Sequence, residues 1–274
     1  MPVTFDTLNA DAAIFSELKK NPLWWKRFKD DRSLYIEVRK DNQVNVYFEG
    51  GSIACIRYRG KKLQITTHHK YLGLLAPSKN NLYIKKSGDS FNSCLEDVIA
   101  RVKSVYSQKK NKNGVVAKED WGEKYIQGTI ITNSRHCHLD SEFAYIDGKT
   151  NSRIDFIKCI DGIVTFVEIK RMNDGRMLHE TDTTPEVVFQ MRRYKEFVEK
   201  FSSHLLSYYQ KLYDIKKSLG LPVPELRPIR INEDPELLIF DTWEKKTDDR
   251  DKHRVRLKEI LDKEGILYQV KTDF

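Results

Sequence analysis

The sequence predicts a mixed α/β fold, α+β overall, in which a smaller α+β part with an antiparallel meander precedes a mixed central sheet flanked by helices. Three observations predict this class. Between residues 153 and 170, two apolar runs rich in β-branched side chains flank Asp161-Gly162, a strong signal for a β-hairpin. Between residues 33 and 67, shorter alternating runs are separated by Gly, Asn and Asp. Helical patterns precede and follow both groups of strands.

The first 110 residues predict helices on both sides of the meander. Residues 11–29 have a helical pattern, which Asn21-Pro22 breaks or restarts, because Asn caps helices and Pro fits their first turn. Residues 91–108 form the later helix, with an apolar stripe on one face. The four predicted strands of the meander are residues 33–40, 44–48, 52–59 and 62–67.

The rest of the chain predicts the order helix, three strands, helix, strand. A helix at 118–132 precedes the strands, which are residues 139–146, 153–160 and 163–170. Thr184-Pro185 starts a long helix that ends before Gly220, with a break at Ser202-Ser203. The closing elements are a strand at 236–242, a helix at 249–264 and a strand at 266–270.

Composition bounds the class of protein. The chain has 274 residues, of which 39% are hydrophobic, so it can build real cores and wholesale disorder is excluded. No apolar run approaches the roughly 18 residues of a membrane helix, and the four cysteines are widely spaced without a CxxC pair. We therefore expect a cytoplasmic protein with reduced cysteines and no membrane partner.

The charge is distributed unevenly along the chain. Residues 1–110 contain 20 Lys and Arg against 11 Asp and Glu, whereas residues 111–274 contain 28 against 29. With the polar run 109–114 as a linker, this predicts a basic domain at 1–110 and a second domain at 115–274. A basic domain suits a polyanion such as nucleic acid, or it docks a protein partner. The predicted nucleic-acid contacts in it are Lys26, Arg27, Arg57, Arg59, Lys61 and Lys62.

The predicted hairpin brings two acids together. If Asp161-Gly162 forms the whole turn, Ile160 faces Ile163, and counting back along both strands places Asp155 opposite Glu168. Facing side chains lie about 5 Å apart on one face of a sheet, so the two carboxylates repel each other unless a cation bridges them. Oxygen ligands at that spacing suit Mg²⁺ or Mn²⁺. Lys170 shares the same face, which completes a set of groups suited to phosphodiester cleavage.

These residues resemble a known superfamily. Ile154-Asp155 followed by Glu168-Ile169-Lys170 is similar to the core motif of the PD-(D/E)xK nucleases, with Ile154 in place of the proline. Gln190 and Tyr194 resemble the QxxxY motif of its RecB-like branch. The resemblance covers about residues 118–245 and implies a restriction-endonuclease-like core.

The resemblance also implies a role for each matched residue. Asp155, Glu168 and the main-chain carbonyl of Ile169 are expected to hold the metal ion, with Glu142 and Glu123 as additional acids. Lys170 is expected to act on the attacking water or on the phosphate. Gln190 and Tyr194, the matched pair on the helix, are expected to steady Lys170 and the substrate. Arg171 and Arg176, in the loop after Lys170, are expected to contact phosphate groups of the substrate.

The sequence therefore predicts a metal-dependent nuclease that acts on nucleic acid, with DNA favoured, in repair, restriction or defence. A catalytically inactive nucleic-acid-binding or partner-docking subunit is the alternative. The intact Asp155, Glu168 and Lys170 favour the enzyme. The sequence does not distinguish a protein partner from a second copy of the chain.

Overall fold

Asn21-Pro22 separates two helices, as predicted. The computed structural model describes residues 5, 7–74, 82–107, 110, 114, 116–147, 150–179 and 183–274. Helix α1 (Ala13–Lys19) ends just before Asn21, whose backbone is left-handed with φ 56°, and α2 (Leu23–Asp30) begins directly after Pro22. Buried apolar side chains of both helices join the main core, and they include Trp24 and Trp25.

The first sheet is an antiparallel meander. Its strands are β1 (Tyr35–Arg39), β2 (Gln43–Phe48), β3 (Gly51–Arg59), β4 (Lys62–His68) and β5 (Tyr83–Ser87), and they lie side by side in chain order. The first four confirm the prediction, whereas β5 was not predicted. It is an edge strand without a fully buried side chain, so its sequence lacks apolar alternation. Two helices, α3 (Gly88–Asn92) and α4 (Leu95–Tyr106), follow where one was predicted.

The second sheet is mixed and has six strands. Helix α5 (Glu123–Asn133) precedes its first three strands, and the elements in chain order are β6 (His138–Asp147), β7 (Thr150–Ile160), β8 (Ile163–Arg171), α6 (Glu186–Ser218), β9 (Arg230–Ile231), β10 (Glu236–Phe240), α7 (Asp248–Lys263) and β11 (Tyr268–Lys271). The spatial order is β11-β10-β8-β7-β6, with β9 beside β8. Strand β10 runs parallel to both β8 and β11, and β7 is antiparallel to β8. The predicted α+β class is confirmed, and the predicted elements appear in the predicted order, with β9 as an additional short strand.

The hairpin of β7 and β8 has the predicted register. Ile160 pairs with Ile163, and the pairing continues to Phe156 and Val167. Asp161 and Gly162 have φ values of 51° and 74°, both left-handed. Two such residues match the right-handed twist of the strands, which is why this dipeptide determines the register so firmly.

Helix α6 is long and bends once. Phe201 departs from helical geometry, with φ −115° and ψ 16°, next to the break predicted at Ser202-Ser203. The segment before the bend lies beside β8 and carries Gln190 and Tyr194. The segment after it carries Lys216, which is 2% exposed. One helix therefore contributes to both the candidate site and the contact between the two sheets.

The two sheets pack on one continuous apolar core. A single cluster of buried side chains includes Val38 and Val46 from the first sheet and Phe143 and Phe166 from the second. The backbones also approach closely, because a Cβ atom on Gly128 of α5 would lie 2.8 Å from the Cα of Glu49. Close contact of this kind requires glycine at that position.

A buried ionic network also joins the two parts. Glu37 of β1 is fully buried and accepts hydrogen bonds from Lys216 at 3.3 Å and from Ser141 at 2.9 Å. His138 Nε2 lies 2.6 Å from the same carboxylate. Although burial opposes it, Lys216 and His138 hold the pKa of Glu37 well below its usual value. Beside this network, Arg39 donates to Asp140 at 3.2 Å.

The predicted linker, residues 109–114, falls largely outside the described residues. The boundary between two domains therefore stays a prediction. None of the helices in the described ranges is long and apolar enough to cross a membrane.

Candidate active site

The hairpin brings Asp155 beside β8. The pairing of β7 with β8 ends at Phe156 and Val167, one position before Asp155 and Glu168, so the predicted pair lies just beyond the ladder. At that position the Asp155 carboxylate itself accepts a hydrogen bond from the main-chain N–H of Ile169, at 3.0 Å. The main-chain carbonyl of Asp155 accepts another from Gln127 of α5, at 2.7 Å. Asp155 is thus held along the edge of β8.

Glu168 and Lys170 form an ion pair inside the protein. Each side chain is only 2% exposed, and the Lys170 ammonium donates to Glu168 Oε1. The ammonium also donates to the main-chain carbonyl of Ile169 at 3.2 Å. Residues Glu168 and Lys170 share a face of β8 with Phe166, whereas Val167 and Ile169 pack on the α5 side.

Helix α6 supplies a polar pair that fixes Glu168. The Gln190 amide donates to Glu168 Oε1 at 2.7 Å and to the Tyr194 hydroxyl oxygen at 2.7 Å. The Tyr194 hydroxyl in turn donates to the main-chain carbonyl of Arg153 at 2.6 Å. The predicted pairing of Gln190 and Tyr194 on one helix face is seen. The amide contacts the acid partner of Lys170, where the resemblance implied contact with Lys170 itself.

The three charged side chains carry an unbalanced negative charge. Burial, and then repulsion from Glu168, raises the pKa of Asp155 to about 7. Burial also raises the pKa of Glu168, and Lys170 offsets only part of this effect. Two carboxylates beside one ammonium leave a net charge of −1, which a low-dielectric site disfavours. A proton on Asp155 or a bound cation offsets this negative charge.

Among the described residues, one carboxylate oxygen of the site has no hydrogen-bond partner. Glu168 Oε2 is buried and unpaired, while Oε1 accepts from both Lys170 and Gln190, and the Tyr194 hydroxyl gives its proton to the Arg153 carbonyl. A buried ionised oxygen without a donor is costly, so this atom fits a metal ligand. Within the described ranges no three side chains of His, Cys, Asp or Glu are grouped as a metal site. The set that fits is therefore Asp155, Glu168 and the Ile169 carbonyl, with water and substrate oxygens as further ligands.

Glu142 reaches the edge of the site. On β6, the pairs of Ser141 with Phe156 and of Phe143 with Ile154 leave Glu142 across from Asp155. Its backbone is left-handed, with φ 54°, so it lies outside the regular ladder. The Glu142 carboxylate pairs with Arg153 at 2.7 Å and contributes to the raised pKa of Asp155.

Glu123 lies at the start of α5 in a second group of charges. Burial, followed by a hydrogen bond with Asp174, raises the pKa of Glu123 to about 6, while Lys170 and Arg176 act in the opposite direction. Arg176 contacts Glu123 at 3.2 Å and Asp174 at 2.7 Å. Asp174 was not among the predicted site residues. Its sequence signal was visible only as an Asp-Gly turn, in which the side chain bonds the main chain of Arg176 at 2.8 Å.

The two loop arginines have different surroundings. Arg176 is engaged with the two acids of the second group. Arg171 donates to the main-chain carbonyl of Glu119 at 3.3 Å, and within the described part of the chain its Nε atom is buried without a partner. An Nε–H left unpaired in this way favours Arg171 as the arginine with a donor to offer a phosphate.

The predicted cations of the first part lie on its surface in two places. Arg59, Lys61 and Lys62 are exposed around the tight turn between β3 and β4, and Arg57 donates to Gln43 at 2.7 Å. On α2, Lys26 is exposed. Arg27 contacts Glu96 at 2.5 Å and Asp31 at 3.5 Å, so acids already surround it.

Comparison with known proteins adds little. No protein-family model matches the chain, and no curated protein sequence matches it either. Among solved structures, SfsA of Pyrococcus furiosus in complex with Ca²⁺ is similar over 88% of this chain and 83% of that chain, at 12% sequence identity and a TM-score of 0.24. A TM-score this low does not establish a shared fold.

Proposed function

We propose that this protein is a divalent-metal-dependent nuclease that hydrolyses phosphodiester bonds, most readily in DNA. The observation that supports this most directly is the buried set of Asp155, Glu168 and Lys170, in which Glu168 Oε2 has no hydrogen-bond donor among the described residues. The resemblance of the same residues to the PD-(D/E)xK motif agrees with it. Repair, restriction and defence against foreign DNA are the processes in which such an enzyme would act.

Each residue has a defined task in this proposal. Mg²⁺ or Mn²⁺, held by Asp155, Glu168 and the Ile169 carbonyl, would supply positive charge beside the scissile phosphate. Lys170 holds its protons at Nζ next to Glu168, where it can orient the attacking water and offset charge on the phosphate. Gln190 restricts Glu168 to one orientation, which leaves Oε2 directed away from the lysine contact.

The Tyr194 hydroxyl connects this arrangement to β7. It accepts a hydrogen bond from the Gln190 amide and donates one to the main-chain carbonyl of Arg153, so α6 is bonded to both strands of the hairpin. Because neighbours already hold Glu168 Oε1, the carboxylate loses little conformational freedom when a cation binds to Oε2. We infer that Gln190 and Tyr194 act by positioning Glu168.

A cleavage assay with matched variants tests the proposal. Purified protein is incubated with Mn²⁺ or Mg²⁺ and with circular and linear DNA, both single- and double-stranded. Asp155→Asn should abolish cleavage, whereas Asp161→Asn should not, because Asp161 is an exposed turn residue on the same hairpin. Equal activity of Asp155→Asn and wild type would contradict the assignment.

The second candidate is a nucleic-acid-binding or partner-docking subunit without catalysis. One observation favours it: Glu168 and Lys170 are almost fully buried and already neutralise each other. Under this candidate the ion pair is structural, and neither metal ion would change the melting temperature. A metal-dependent rise that Asp155→Asn removes would exclude it.

A further inference from the structure

A cationic cavity lies beside the carboxyl end of β8. Strands β8 and β10 are parallel, and Met172 donates its main-chain N–H to the Phe240 carbonyl at 2.8 Å, so the chain leaves both strands at one edge. A cavity of about 500 Å³ opens there, against the first turns of α7. Ligands of sheets with parallel strands commonly bind at this kind of edge.

The cavity combines basic and apolar walls. Arg250, Lys252 and Arg256 line it, against the single acid Asp249, and Trp243 and Leu178 form its apolar part. Lys252 is exposed. The cavity therefore suits an anion with an apolar neighbour, which describes a phosphate group and the sugar or base attached to it.

His253 provides an independent sign of a ligand. It also lines the cavity, and among the described residues its Nε2 atom is buried without a hydrogen-bond partner. The other side of the ring bonds to the main chain of Met172, and the ring packs against Trp243 at 5.2 Å between ring centroids. Burial lowers the pKa of His253, so the neutral ring donates to Met172 and leaves Nε2 as an acceptor for a donor group from outside the chain.

The cavity is connected to the candidate catalytic lysine through the end of β8. Only Arg171 separates Lys170 from Met172 in the chain, and His253 is bonded to the main chain of Met172. A strand with its scissile phosphate at Lys170 would therefore bring a neighbouring phosphate to this cavity. We propose that Lys252 and Arg256 bind a phosphate of the substrate strand next to the one that is cleaved, and that His253 Nε2 accepts a hydrogen bond from the nucleotide attached to it. This inference rests on the proposed nuclease function.

Binding without cleavage tests the cavity separately from catalysis. Fluorescence anisotropy with a labelled DNA oligonucleotide, in EDTA, gives the affinity of wild type, Lys252→Gln and His253→Gln as a function of salt. Lys252→Gln should weaken binding several-fold and reduce the slope of log K against log salt by about one. The control Lys258→Gln makes the same charge change on α7 outside the cavity lining, and should match wild type.

The outcomes separate the alternatives. Wild-type affinity and slope in both Lys252→Gln and His253→Gln would overturn the proposal, and melting curves identify a variant that has lost its fold. Inorganic phosphate at constant ionic strength should compete more strongly with the oligonucleotide on wild type than on Lys252→Gln, and equal competition on both proteins would also overturn it. If Lys252→Gln and His253→Gln bind DNA more weakly than wild type, but the wild-type protein cleaves no DNA, the cavity is supported and the nuclease function is refuted.

Steady-state cleavage gives a further readout. The cavity contacts a phosphate that does not react, so it binds the ground state and the transition state equally. His253→Gln should therefore raise KM and leave kcat nearly unchanged. A fall in kcat with an unchanged KM would contradict a binding role and assign His253 to the chemistry.

Discussion

Asp155→Asn should stabilise the metal-free protein, although it removes a candidate catalytic residue. The wild-type site holds two carboxylates and one ammonium, and the substitution leaves Glu168 and Lys170 as a balanced pair. The new amide oxygen can still accept the hydrogen bond from the Ile169 N–H. Repulsion is therefore removed without loss of that contact.

The pKa of Asp155 gives the size of the effect. It rises from 3.8 to about 7, and each unit corresponds to about 1.4 kcal/mol, so the ionised carboxylate costs at most about 4 kcal/mol. Because the folded state binds this proton more tightly than the unfolded state, wild-type stability falls as pH rises from 3.8 to about 7. The advantage of the variant should be absent below that window, grow within it and stay constant above it.

Chemical denaturation across this pH window, with and without Mn²⁺, measures the effect. At a concentration of 100 times Kd, Mn²⁺ should stabilise wild type by about 2.7 kcal/mol and leave Asp155→Asn unchanged. Asp161→Asn controls for the loss of an acid from the same hairpin. A pH-independent difference, or an equal metal response in wild type and Asp155→Asn, would refute the reasoning.

Three further predictions follow from the same structure. Because the metal displaces a proton from Asp155, calorimetry should show Mn²⁺ affinity rising about tenfold per pH unit up to about pH 7 and levelling above it; a flat profile would contradict this. Lys170→Ala should slow cleavage by at least about 100-fold, and it should destabilise the metal-free protein by about 3 kcal/mol in denaturation, because Glu168 loses its buried partner. A near wild-type rate would place the chemistry elsewhere. Joint replacement of Arg57 and Arg59 by Gln should reduce the salt slope of DNA binding by up to about two, and an unchanged slope would favour partner docking by this surface.

The sequence predicted most of the hairpin and the placement of its charged residues because both depend on local rules. The left-handed Asp161-Gly162 turn determines the register, and strand alternation then places Asp155, Glu168 and Lys170 on one face. The pair on α6 followed from helical spacing.

Other features depend on contacts distant in the chain and carry no local signal. Strand β9 has two residues and is stabilised by its pairing with β8. Gln127 is recognisable as a support for Asp155 only once α5 has packed on the sheet. A second group of charges joins the start of α5 to a loop 53 residues later, and neither periodicity nor a motif predicts this contact. Its members are Glu123, Asp174 and Arg176.

The buried network between the sheets has a consequence for how the chain folds. Glu37 and Lys216 are separated by 179 residues, so their contact forms only after both ends of the chain have been brought together. Contacts of such long separation close slowly, because the loop entropy is lost before the contact forms. Until then, Lys216 lacks the buried partner that balances its charge. We therefore expect the last step of folding to be the slow one, and partly folded chains to be the species most open to aggregation.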